Sequence, residues 1–385
     1  MFHRLVLVSF HSACVLLSSS TPTATPQHAL LPKFTSICRY QSSSPNSREN
    51  TLSFDNVKRS RPWTAEQRRG TTRETNLLEA MDPAAFGIST IPLNHEPYGP
   101  ITAEALGSAN KSKVAVVTGA GRGIGRAIAI ALAQSGARLA LLDRDIERQR
   151  DTRSACEQAG ARAEVHACDV ANVYSVRETF KHVRHHLGEI DILVNNAGIN
   201  LHALTQDQTF EDFWRVVEVN FKGPMITTFE VLPAMRQRNS GCIINIASRS
   251  ATVDVPGTLS YCSSKAAVAR ATSTLQAELD DLGLGENIHT YALHPGGVWT
   301  AMAQGEGPPD PEREAKFRSM FKDVPELCGQ TCAYLAAGKA KELRGCYFDC
   351  RQDVERVKTL GREHLQKQAV YKLKVDFVDG YCNEP

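Results

Sequence analysis

An α/β fold is what this sequence predicts: a doubly wound parallel sheet with helices on both faces, three layers deep, in a single domain. Three observations lead there. From Lys113 onward, short apolar runs rich in β-branched residues alternate with longer amphipathic or Ala-rich stretches, at the pitch of repeated strand–helix units. The first strand runs directly into a glycine cluster, Gly119-Ala120-Gly121-Arg122-Gly123-Ile124-Gly125. Polar residues gather just after the strands, where open parallel sheets bind ligands.

Taken in order, Val114-Ala115-Val116-Val117-Thr118 reads as a buried strand, followed after the glycines by an Ala-rich helix to about Ser135 that Gly136 closes. Arg138-Leu139-Ala140-Leu141-Leu142-Asp143 is the second strand. Further strands are expected near 163–168, 191–195, 242–247 and 288–293, and helices near 145–159, 172–187, 211–237 and 260–283. Residues 326–338 read as helix, 344–349 as a last strand and its turn, and Val354 to Leu373 as a charged amphipathic helix. The Pro/Gly-rich stretch of about 301–325 has the composition of a substrate lid. No repeat at solenoid period is present.

The first 81 residues differ in character and are expected to be a disordered or targeting extension, leaving residues 82–385 as the domain. Residues 1–48 lack Asp and Glu, carry Arg4, Lys33, Arg39 and Arg48, and are rich in Ser and Thr, the composition of a mitochondrial transit peptide. Leu5 to Leu17 reads alternatively as a secretory h-region, although His11 and Ser12 interrupt it; it is too short and broken for a membrane span. A start at Met81 is the third reading. Cytoplasmic location is expected, or mitochondrial if the transit reading holds.

With 42% apolar and 22% charged residues in 385, the composition is that of an ordinary globular protein. A formal net charge of +2 gives no electrostatic reason to expect nucleic acid or an acidic membrane as partner. Eleven cysteines are scattered, several within apolar runs, which suits buried free thiols. Cys328/Cys332 and Cys346/Cys350 have i, i+4 spacing rather than Cys-x-x-Cys, so no metal is expected there.

Each strand end carries a chemical hint. Glycines between strand and helix let a backbone approach a phosphate, whose charge meets free N–H groups and the helix dipole. The spacing is Gly119-x-x-x-Gly123-x-Gly125, without the Gly-Lys-Ser/Thr of a nucleotide-triphosphate loop. Asp143, eighteen residues after Gly125, suits ribose hydroxyls and repels a 2′-phosphate, which favours NAD over NADP; Arg122 in the loop pulls the other way. Cys168-Asp169-Val170 ends the third strand and suits an adenine edge, and Asn195-Asn196-Ala197-Gly198 forms a polar turn of small residues after the fourth. Asn220 lies in a helical pattern. Ser248 follows the fifth strand, with no Gly-x-Ser-x-Gly elbow to make it a hydrolase nucleophile. His294 to Thr300 forms a tight turn in which His294 reads as structural; Arg249 either faces substrate or is solvated.

Tyr261 and Lys265 are four apart in an Ala-rich helical run, so both share one face, roughly 5–6 Å apart at Cβ. Alone, this is an ordinary helix pair. In a sheltered cleft, an ammonium at about 4 Å stabilises a phenolate by about 4 kcal/mol at an effective dielectric near 20. That exceeds the roughly 2.7 kcal/mol needed to lower a phenol by about two units.

In order and spacing, Thr118-Gly119-x-x-x-Gly123-x-Gly125, Asp169, Asn195-Asn196-Ala197-Gly198, Asn220, Ser248, Tyr261-x-x-x-Lys265 and Pro295-Gly296-x-x-x-Thr300 resemble the short-chain dehydrogenase/reductase family over about 113–301. The wording of 260–265 and 294–300 is similar to filamentous-fungal members, many of which act on secondary metabolites. The resemblance implies a Rossmann-type fold and an oxidoreductase transferring a hydride between NAD(P)(H) and a carbonyl or secondary alcohol. It implies Tyr261 as general acid/base, Lys265 as the group lowering its pKa, Ser248 as holder of the substrate oxygen and Asn220 in a proton relay. It further implies cofactor contacts from Gly119, Gly123, Ile124, Gly125 and Asp143, from Asp169, Val170, Asn196, Ala197 and Gly198, and from Tyr261, Lys265, Val298 and Thr300. A homodimer or homotetramer is implied as well. A catalytically silent nicotinamide-binding regulator and a nucleotide-sugar epimerase are the rival readings.

Overall fold

The computed structural model describes residues 89–304, 311, 315, 318 and 321–378; the expectations for 1–81, and most of those for a lid over 301–325, fall outside these residues. Seven strands form one parallel sheet: β1 (Val114–Thr118), β2 (Arg138–Asp143), β3 (Ala163–Ala167), β4 (Ile192–Asn195), β5 (Gly241–Ile246), β6 (Ile288–His294) and β7 (Tyr347–Asp349). Their order is β3-β2-β1-β4-β5-β6-β7. The chain therefore reverses its direction of travel across the sheet between β1 and β4, the topological switch point at which such sheets open a crevice.

Helices fill the crossovers on both faces: α1 (Gly123–Gln134), α2 (Arg150–Gln158), α3 (Val173–Leu187), α4 (Phe210–Val217), α5 (Gly223–Arg238), α6 (Leu259–Asp281) and α7 (Pro325–Ala336). β1 and β4, inside the sheet, are buried on both sides, so they read as continuous apolar runs rather than as alternating ones. Alternation nevertheless decides which layer each residue joins. Ala115, Val117, Leu139, Leu141, Ile192 and Val194 pack in one core with Ile128 and Leu132 of α1 and Leu335 of α7. Val114, Val116, Ala140, Leu142 and Leu193 pack in the other with Phe180 and Val183 of α3 and Leu232 of α5. Each of the Val, Leu, Ile and Phe side chains contributes roughly 1.5–3 kcal/mol by leaving water.

Two expected helices are divided. The stretch expected as one helix over 211–237 is α4, then a π turn at Glu218–Lys222, then α5. Pro224 has no N–H for the carbonyl four residues back, and the Gly223 N–H instead bonds the Glu218 carbonyl, five residues back. The charged tail helix expected over 354–373 is two short ones, Val354–Lys358 and Arg362–Lys367, separated at Gly361 with φ +75°. The chain beyond runs along the sheet edge, where the Tyr347 N–H donates to the Tyr371 carbonyl at 2.7 Å.

Candidate active site

The crevice at the switch point has the β1–α1 loop on one lip and the end of β4 on the other. Gly125 has no room for a side chain: a Cβ would stand 2.1 Å from the Gly119 carbonyl oxygen and 2.5 Å from Asn196 Nδ2. The first turn of α1 receives no side-chain cap, which leaves its N–H groups aimed into the crevice. Ile124, in that first turn, packs partly against the core beneath. Asp143, at the end of β2, accepts the Gly121 N–H at 3.3 Å, so its carboxylate stands beside the loop. Thr300 reaches the same loop from the far side, with Cγ2 3.4 Å from where a Gly123 Cβ would be. Val298 is buried and bridges to Asp323.

On the opposite lip, Asn196 serves as a brace. Its Nδ2 donates to the Thr118 and Gly119 carbonyls at 3.0 and 3.1 Å. Thr118 Oγ1 in turn accepts the N–H groups of Asn196 and Ala197, both at 3.0 Å. The Asn196 amide is thus spent on holding the glycine loop rather than aimed into the open crevice. Asp169 and Val170 sit at the end of β3: the Asp169 carboxylate accepts the Ala171 N–H at 3.0 Å, and Val170 packs near Ala197, Ile199 and Val219.

The polar end of the crevice lies where β5 and α6 approach β4. Ser248, just past β5, accepts the Ser250 N–H on its Oγ at 3.2 Å, and its carbonyl is held by the Tyr347 hydroxyl at 3.0 Å. Tyr261 lies in the first turn of α6, and Lys265 one turn on, its Nζ 5.6 Å from the Tyr261 ring centre. Lys265 is 5% exposed and donates to the Ile246 carbonyl at 2.7 Å. Asn220 is presented by the π turn: its Oδ1 accepts the Ile199 N–H and its Nδ2 donates to the Ile199 carbonyl, each at 2.8 Å, and to Ser264 Oγ at 3.2 Å. A Cβ on Gly198 would fall 3.3 Å from Asn220 Oδ1 and 3.8 Å from Lys265 Nζ, so this glycine keeps the space between the two groups clear.

Burial dominates the electrostatics. It holds Lys265 down to about 8, and it pushes the Tyr261 phenol up, with the Ser248 hydroxyl pulling the other way. The sequence expectation had Lys265 lowering the phenol. In this structure desolvation is the largest influence on the phenol, and the Lys265 ammonium donates to the Ile246 carbonyl.

The structure therefore brings Ser248, Tyr261, Lys265, Asn220 and Gly198 together, and the glycine loop, Asp143 and Thr300 at the other end. Arg249 turns elsewhere: with Tyr347, Asp349, Gln352, Tyr371 and Lys372 it lines a cavity of about 330 Å³ whose walls do not include Tyr261. Asp323 was not singled out in the sequence. It accepts the Gly297 N–H, lies 2.5 Å from His95 Nδ1, and secures the turn that carries Val298 and Thr300. Nothing in its local sequence marks it, since His95 is 228 residues away.

The model for the family described as short chain dehydrogenase matches residues 113–310. A short chain dehydrogenase of Pseudocercospora fijiensis (strain CIRAD86) is 30% identical over 313 residues, 76% of this chain and 98% of that protein. Among solved structures, a metagenomic short-chain oxidoreductase in complex with NADP is 29% identical, with 60% of this chain and 93% of that one covered at a TM-score of 0.50. A 7α-hydroxysteroid dehydrogenase complexed with NADH and 7-oxo glycochenodeoxycholic acid is 27% identical, with 64% and 95% covered at a TM-score of 0.58.

Proposed function

The chain belongs to the short chain dehydrogenase family, and from that premise we propose that it moves a hydride between NAD(P)(H) and the carbonyl or secondary-alcohol carbon of a small organic substrate. The observation that carries this reading is the convergence of Ser248, Tyr261 and Lys265 beside a crevice whose far end is shaped for a dinucleotide. The residues suit that group: α1 offers uncapped N–H groups to a pyrophosphate, Gly125 lets the glycine loop close on Asn196 where a Cβ would clash, and Asp143 beside the loop would meet a ribose. A bound nicotinamide supplies the hydride.

In the reductive direction, the Tyr261 hydroxyl donates its proton to the substrate oxygen and Ser248 donates a hydrogen bond to the same atom. Lys265 keeps a positive charge below about pH 8 and stabilises the phenolate left behind. Asn220 holds the Ile199 backbone beside Lys265, the position from which it would support a water relay. Gly119, Gly123, Ile124, Asp169, Val170, Ala197, Val298 and Thr300 would line the cofactor, and Asn196 would shape the loop beneath it.

NAD is the preferred form in this reading. Asp143 faces the loop, and the basic Arg148 beside it is engaged by Asp145 at 3.0 Å. A comparison of kcat/KM for the two cofactors tests this; a tenfold preference for NADP would overturn it. The substrate class is a ketone or alcohol of fungal secondary metabolism, a reading supported by the fungal wording of 260–265 and 294–300 and by the Pseudocercospora relative. A catalytically silent regulator would have no use for the buried Lys265.

The catalytic domain runs from about 82 to 385 in this reading, with 1–81 as an extension and the compartment cytoplasmic or mitochondrial. Among the described residues no helix is long and apolar enough to cross a membrane. Exposed Phe210, Trp214 and Phe229 on α4 and α5 supply apolar surface for a homodimer or homotetramer.

The deciding experiment follows NADH and NADPH consumption against a panel of ketones, aldehydes and quinones, with Tyr261→Phe alongside. Turnover should fall by about 10²–10⁴ in the variant while cofactor binding stays within a few-fold. Equal turnover in the variant would sink the mechanism.

A further inference from the structure

At the outer edge of the sheet, far in the chain from Ser248 and Tyr261, four metal-ligating side chains converge that the proposed reaction does not use. Glu164 and His166 are two apart on β3, so both project to the same face. His182 and His186 are four apart on α3, which covers that face, so their imidazoles share one side of the helix. One donor atom each from Glu164, His182 and His186 lies within 4.8 Å of the others. The His182 and His186 rings stack at 4.0 Å between centres, and the His166 ring meets His182 edge-on at 5.3 Å.

Two further observations point to a ligand rather than to a chance cluster. The His166 side chain is 11% exposed, and its Nε2 is buried without a hydrogen-bond partner. A buried polar atom left unpaired bears the full desolvation penalty of the group with no bond to offset it. Its nearest acidic neighbour, Glu164 Oε2, is 3.9 Å away, beyond a hydrogen bond, whereas the other oxygen, Oε1, accepts from Arg162 at 2.7 Å. One carboxylate oxygen and one buried imidazole nitrogen therefore face the exposed pair on α3 with no partner between them.

We propose that Glu164, His166, His182 and His186 form a binding site for a divalent transition-metal ion. The donor set of imidazoles with one carboxylate suits Zn²⁺, Cu²⁺ or Ni²⁺ rather than Mg²⁺ or Ca²⁺. An i, i+4 histidine pair on a helix supplies two ligands on one side, and the adjacent strand supplies the other two. Bonds of about 2.0–2.1 Å place tetrahedral ligand atoms about 3.3 Å apart. Rotation of the two exposed imidazoles would close the present spread toward that geometry. The ion would clip β3 to α3 across the turn that carries Asp169 and Val170, and so brace one wall of the crevice.

The full-length chain, stripped with a chelator, is titrated with Ni²⁺ and with Zn²⁺ by calorimetry. For wild type, one saturable equivalent is expected with Kd well below about 100 μM. His182→Ala and His186→Ala, both at exposed positions, should each weaken it at least tenfold, and so should His166→Gln. His185→Ala, the neighbouring helix position outside the cluster, should leave it within twofold. Thermal unfolding should shift upward with the metal in wild type and not in the His182→Ala/His186→Ala double variant. Absence of saturable binding, or binding that survives the double variant, would overturn the proposal.

Discussion

Two regions of this molecule bury charge, and they do so in opposite ways. At the end of β5, Lys265 is buried with a single backbone carbonyl as its hydrogen-bond acceptor, and burial holds its ammonium down to about 8. Behind β6 and β7, Asp323 is equally buried but is met by His95, by the Gly297 N–H and, at 3.9 Å, by Arg351, which also forks onto Asp349. The second arrangement holds a turn in place. The first leaves a charge without an anion, the feature on which the proposed proton-transfer role of Lys265 draws. The contrast separates a buried charge with complete partners from one that lacks a counter-ion.

The largest effect should come from breaking the satisfied region. Asp323→Ala leaves the Gly297 N–H without its acceptor and Arg351 and His95 without a common anion; a loss of about 3–5 kcal/mol in urea unfolding is expected. An unchanged midpoint would remove the contrast. Lys265→Met should act in the opposite direction. Turnover should be lost, yet the cofactor-free protein should gain about 3 kcal/mol at pH 7, because the folded form no longer holds a desolvated ammonium. The sign follows from the lowered pKa. Between about pH 8 and the ordinary lysine value of 10.5 the unfolded chain keeps a proton the folded chain has released, so wild-type stability rises with pH there and the gap to the variant closes. Unfolding midpoints at pH 7 and pH 10 check this.

A smaller effect lies at His294, which sits between the two regions. Burial holds it down to about 4, with Asp349 opposing and Arg351 and Arg249 reinforcing. As pH falls from about 6.5 towards 4, the unfolded chain takes up a proton that the folded one refuses, so stability falls, by about 2–3 kcal/mol in all. His294→Gln should flatten that part of the acid profile, which urea midpoints at pH 7 and pH 4.5 will show. An unchanged slope would place the acid sensitivity elsewhere.

How much of this was legible depends on how local each feature is. Tyr261 and Lys265 share a helix, and Ser248 follows the preceding strand, so their order in the chain, together with the family resemblance, suggested that they would meet. The glycine loop and Asp143 were legible for the same reason. Asn196 was legible as a residue but not in its use: that its amide is consumed by the Thr118 and Gly119 carbonyls depends on β1 and β4 being neighbours, 77–78 residues apart in the chain. Pro224 was the one local sign of the π turn, whose register places Asn220 against Ile199.

By itself the sequence determined the strand–helix periodicity, and hence the fold class and most of the elements, because these depend on interactions within one element or between consecutive ones. Tertiary structure alone decided three things. It set the environment that raises the Tyr261 phenol and lowers Lys265, since desolvation depends on what packs around a group rather than on its neighbours in the chain. It chose the partners of Asp323, and it brought Glu164 and His166 of a strand against His182 and His186 of a helix.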